Sequence, residues 1–148
     1  MAQNYPMDDD SPIYGGFTKK ISRTDSSHGS IYMLLRDSDH LLLRFGEMML
    51  LRKDPNEEFM MNVREVADEI WILIEGDVEF IWHDLRQASP TYDQVHKMIC
   101  DEPTLVLVPF GVAFGCHAVE NSSSLIRITT YEDGSHPDDR SFLWEEKV

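Results

Sequence analysis

Cysteine is scarce, long apolar runs are missing and positive charge is outnumbered about two to one. Only Cys100 and Cys116 occur among 148 residues, too few for a disulfide framework and suited to a reduced compartment, so a cytoplasmic location is expected. The longest uninterrupted apolar runs reach about five residues, far below the ~20 of a membrane span. The opening stretch MAQNYPMDDDSPIYGG has neither a basic nor an apolar region of the kind a signal peptide needs. With 13 Lys and Arg against 27 Asp and Glu, the net charge is −14. Such a field repels phosphate backbones and anionic headgroups, so neither nucleic acid nor membrane is an expected partner. A sustained 3.6-residue apolar period is also lacking, which leaves little room for helix.

What is present is a succession of short apolar and β-branched runs: 31–35, 41–45, 48–51, 70–74, 78–82, 105–108, 114–119 and 125–130. All are strand-sized and separated by Gly, Pro, Asp and Asn breakers. They predict an all-β jelly-roll or barrel of one domain over residues 17–148, with residues 1–16 as a loose, polar arm and no core before Phe17. In the segment EIWILIEG, residues 69–76, Ile70, Ile72 and Ile74 share one face of a strand whose other face is also largely apolar. A barrel strand turns one face outward, so the isoleucine stripe needs a cover. A second subunit or the N-terminal segment would supply it, and a homodimer is the expectation.

Four stretches resemble a known family. EIWILIEG and PFGVAFG, residues 109–115, are similar to the two cupin motifs. The segment from Gly76 to Tyr92, GDVEFIWHDLRQASPTY, resembles the Asp-Leu-Arg-x-x-Ser-Pro-Thr-Tyr signature of the dTDP-4-dehydrorhamnose 3,5-epimerases. TTYEDGSHPDDR, residues 129–140, is similar to that family's closing Tyr…Asp-Pro-x-x-Arg pattern. The resemblance covers roughly Gly46 to Trp144. It implies a cupin jelly-roll (double-stranded β-helix) that epimerises or isomerises a nucleotide-linked 4-keto-6-deoxysugar, with no cofactor. Such chemistry needs a base, a proton donor across the ring and a group that stabilises the enolate oxygen.

Carried onto this chain, the family's first His pair falls on Asn62 and Arg64, its later Lys or Glu on Glu69, and its second-motif His on Phe114. Its Tyr falls near Arg127, with Tyr131 close by. A cupin metal centre requires converging imidazoles, and arginine does not ligate at neutral pH, so no metal is expected. The resulting candidates for catalysis are Glu69 as base, Arg64 and Arg127 as enolate stabilisers and Tyr131 as acid. Asn62, Trp71, Phe114, Arg86 and His117 are candidates for ligand contact. Each has a plainer alternative: Glu69 in an internal ion pair with Arg64 or Arg127, Arg86 organising its own turn beside Asp84, and His117 on the outer face by period-2 alternation from Phe114. His83 reads as a strand-end residue beside Asp84, and His28, His40, His96 and His136 sit in polar, turn-like contexts where solvent exposure is expected. The lost histidines also allow a non-catalytic cupin that binds a small anionic or carbonyl ligand, as an alternative to divergent chemistry on a carbonyl metabolite.

Overall fold

The computed structural model describes residues 11–144; residues 1–10 and 145–148 fall outside the described part. Twelve strands are present among the described residues: β1 (Phe17–Lys20), β2 (Ser22–Ser26), β3 (Gly29–Met33), β4 (Glu47–Lys53), β5 (Met60–Val63), β6 (Glu69–Glu75), β7 (Val78–Asp84), β8 (Val95–Cys100), β9 (Thr104–Val108), β10 (Val112–Ala118), β11 (Ser123–Thr129) and β12 (Arg140–Leu143). The one helical element among them is a single 3-10 turn, Asp37–Asp39. Among the described residues no helix is long and apolar enough to cross a membrane.

Two five-stranded antiparallel sheets, in the orders β1-β9-β6-β11-β4 and β12-β5-β10-β7-β8, pack face to face as a jelly-roll. Alternation along each strand decides what lies between them. Trp71, Leu73, Val106, Val108 and Leu125 point inward from the first sheet, and Phe80, Trp82, Phe114 and Cys116 from the second. The aromatic rings interlock, with Phe114 lying 5.4 Å from Trp71, 5.7 Å from Phe80 and 5.3 Å from Trp82. This part of the barrel is therefore a filled core, closed at the second-motif position by a phenyl ring.

Three expectations are corrected here. The isoleucine stripe is largely covered from within the chain, and by more than the N-terminal segment. Ile70, Ile72 and Ile74 pack with Leu34, Leu35, Leu41 and Leu42 of the same chain, joined by Phe17 and Ile21. The run at 41–45 is accordingly not a strand: Leu41 is buried against the sheet with Leu42 packed beside it, while Leu43 and Phe45 stay exposed. Finally, packing begins before Phe17: Ile13 is 2% exposed within the inner core, and Tyr14 is tied down through its N–H to Thr91 and its carbonyl to Arg86. What the sequence predicts of a loose arm at residues 1–10 lies outside the described residues.

Candidate active site

The sheets open at one end around a cavity of about 620 Å³, within the 300–1,000 Å³ range of small-molecule sites. Arg64, just beyond β5, reaches it from the second sheet, and Arg127, on β11, from the first. The register places Arg127 beside Trp71 on β6 and Met49 on β4, while Asn62 sits opposite Phe114. Asn62, Arg64, Trp71 and Arg127 all line the cavity.

Glu69 lies behind the two guanidiniums, 3% exposed. Its Oε2 accepts from Arg64 Nη1 at 3.2 Å, from Arg127 Nε at 3.0 Å and from Arg127 Nη2, and its Oε1 accepts from Trp71 Nε1 at 3.1 Å. The segment after β11 folds back over this group. Asp133 bridges both arginines, and Asp139 accepts from Arg64 Nε at 2.9 Å. Burial alone would make the Arg127 guanidinium easier to deprotonate, but the Asp133 and Glu69 carboxylates outweigh it and hold the cation firmly. Arg127 in turn keeps Asp133 below the usual carboxylate range. The ion pair named above as the plainer role of Glu69 is thus what the chain builds, with both arginines at once. A buried carboxylate so engaged is a counter-ion that fixes guanidiniums in place; with both oxygens occupied, it is poorly placed to take a proton.

Four other candidates do not reach the cavity. Phe114 is part of the core beneath Trp71. Tyr131 offers only its carbonyl to Arg64, while its ring stacks under the Arg44 guanidinium at 3.9 Å, so it is not placed as an acid. His117 hydrogen-bonds Glu79 at 2.8 Å and packs against Phe59, outside the barrel, where alternation puts it. Arg86 forks onto Asp84 through Nε and Nη2 and donates to the Tyr14 carbonyl, bracing the arm. Burial would raise the Asp84 carboxyl, but hydrogen bonds from Arg86, Ser89 and Thr91 bring it down to about 2. The signature segment is a structural brace, and the Arg86 chain also packs where a side chain on Gly111, with φ +86°, would stand.

Sequence reasoning missed the closing segment's contribution: Asp133, His136 and Asp139 all line the cavity, with Lys53 and Arg140. His136 Nδ1 accepts from the Asp138 N–H at 3.1 Å, which places the proton of the neutral ring on Nε2. The tail's likeness to the family pattern was the available signal, although it does not say which of its side chains face inward. Cys116 is no nucleophile, since burial pushes its thiol up to about 12. Among the described residues no cluster of three or more His, Cys, Asp or Glu is arranged to hold a metal ion.

No family model matches the chain. Over 140 residues, 92% of this chain and 93% of the relative, it is 29% identical to the spore coat polysaccharide biosynthesis protein SpsL of Bacillus subtilis (strain 168). Among solved structures it superposes on a dTDP-4-dehydrorhamnose 3,5-epimerase from Bacillus anthracis str. Ames with TDP and PPi bound, at a TM-score of 0.77 and 15% identity, covering 89% of this chain and 81% of that one. A dTDP sugar isomerase from Desulfovibrio desulfuricans G20 gives 0.75 and 17% identity, with 90% and 86% covered. The chain therefore has the fold of these epimerases and isomerases, the cupin jelly-roll that the resemblance implies.

Proposed function

We propose that this protein is an epimerase- or isomerase-type enzyme acting on a nucleotide-linked keto-sugar in the synthesis of a polysaccharide, working in the cytoplasm without a metal. The observation that carries the reading is the convergence of Arg64 and Arg127, from opposite sheets, on one cavity. These are positions onto which the resemblance maps the family's chemistry. The fold is shared with enzymes of that class, and the SpsL likeness runs through nearly the whole chain.

In this reading the two guanidiniums stabilise the enolate oxygen or hold the diphosphate. Glu69 keeps them oriented, Trp71 and Asn62 contact the ligand, and proton transfer falls to His136, the imidazole on the cavity wall. A homodimer remains part of the proposal on a new footing: Met48 and Leu50 on β4 are 61% and 70% exposed, Leu43 and Phe45 about as much, and among the described residues the β2-β3 hairpin pairs with no other strand.

The phenyl ring of Phe114, where the family's motif has a His, favours the second reading of a non-catalytic binder of an anionic or carbonyl ligand. Incubation with a 4-keto-6-deoxy nucleotide sugar in heavy water separates the two. The enzyme incorporates deuterium at the carbons flanking the ketone, and Arg127→Lys slows this by about 10²-fold, the usual effect of losing a preorganised oxyanion donor. Wild-type protein that leaves those carbons unlabelled would be a binder.

A further inference from the structure

Each guanidinium carries five N–H donors, and in this site none is spare. Arg64 donates through Nε to Asp139, through Nη1 to Glu69 and Asp133, and through Nη2 to the carbonyls of Tyr131 and Glu132. Arg127 donates through Nε to Glu69, through Nη1 to Asp133 and the Met49 sulfur, and through Nη2 to Glu69 and Asp133. Arg64 and Arg127 are more than nine-tenths buried. Within the cluster three carboxylates face two guanidiniums, leaving one excess negative charge. No anion enters such a site unless an acceptor leaves.

The acceptors differ in how easily they leave. Glu69 is 3% exposed and Asp139 13%, so freeing either strands a buried charge. Two others are backbone carbonyls of the closing segment. Asp133 is 54% exposed, and its Oδ1 accepts from both arginines at 2.8 and 3.0 Å while its Oδ2 accepts from Arg127 at 3.0 Å. Only its side chain needs to turn toward water: its backbone N–H stays on Glu47 Oε1 at 2.9 Å, and the space beside the following Gly134, φ +81°, is open.

We propose that Asp133 is an internal stand-in for the ligand's anion: an oxyanion with two adjacent oxygens, a phosphate or a carboxylate, takes its place in the fork of Arg64 and Arg127, and Asp133 swings out to solvent. The displacement exchanges like for like at the guanidiniums, the ligand's oxyanion taking up the donors and the charge position that Asp133 gives up. The inference rests on reading this cavity as the ligand site, but not on any turnover.

The test is calorimetric titration of inorganic pyrophosphate, and separately of malonate, into the wild type and Asp133→Asn. The variant is expected to bind pyrophosphate about tenfold more tightly, since a charge-assisted competitor is gone, and Arg127→Lys in the Asp133→Asn background is expected to erase the gain. A parallel gain for malonate extends the site to any such oxyanion; a gain for pyrophosphate alone assigns it to phosphate. Equal or weaker binding of both probes by Asp133→Asn overturns the proposal. In the wild type, pyrophosphate should raise amide hydrogen exchange across residues 132–136, and binding that leaves this segment unchanged overturns it as well. A protein that binds pyrophosphate in this way yet labels no sugar in heavy water would sink the enzymatic reading alone, whereas labelling with an indifferent Asp133→Asn would sink this one alone.

Discussion

At the residue scale, burial and partner count decide what each ionisable side chain does. Asp84 is fully buried but receives hydrogen bonds from Arg86, Ser89 and Thr91, so it stays charged. Asp68 is nearly as buried and accepts from the Phe110 N–H at 2.9 Å. Here desolvation wins, raising its carboxyl to about 6. The folded state therefore holds this proton more tightly than the unfolded chain, and the linked stability falls as pH rises from about 4 through about 6. At roughly 1.4 kcal/mol per pH unit of difference, ionised Asp68 costs about 3 kcal/mol at neutral pH. Asp68→Asn keeps an acceptor for Phe110 and should melt above the wild type at pH 7.5, with the difference closing by pH 4.5. A variant less stable at both values would contradict the assignment. The Asp84–Arg86 turn is legible in the sequence, whereas the burial that raises Asp68 is not, since in the sequence it is simply an aspartate near a turn.

At the scale of elements, strands with two apolar faces were easy to recognise and strands with one were not. The runs at 70–74, 78–82 and 105–108 fall inside β6, β7 and β9, because both faces of these strands are buried. β1, β2, β8 and β12 escaped notice: FTKK, SRTDS and RSFL carry polar residues on a solvent face and read as loop. The opposite error, a strand expected at 41–45, came from a segment whose Leu41 and Leu42 pack over Ile70 and Ile72 without joining a sheet. Leu41→Ala should therefore behave as a core truncation, lowering stability by about 3 kcal/mol in chemical denaturation, although the residue lies in no strand. A loss under 1 kcal/mol would show that the cover is dispensable.

At the scale of the molecule, the internal cover removes the original reason for a dimer and the exposed rim of β4 supplies another. Met48 and Leu50 project from a strand that, among the described residues, is paired on one side only, an arrangement soluble proteins seldom leave open. Met48→Glu with Leu50→Glu should convert a dimer into a folded monomer by light scattering. A dimer that survives both charges uses some other face.

The sequence by itself determined the all-β class and the two sheets' central strands, because a period of two is a local property of the chain. The inward set Asn62, Arg64, Glu69, Trp71 and Arg127 followed from the register that the family resemblance implies, and was open at Asn62 and Arg64 until the fold fixed it. Only the tertiary structure decided that Glu69 is spoken for, that Tyr131 faces Arg44 and that Asp133, His136 and Asp139 complete the cavity. Those outcomes depend on where residues 133–139 return across the barrel mouth to meet residue 64, and no short-range pattern encodes a contact between segments about seventy positions apart.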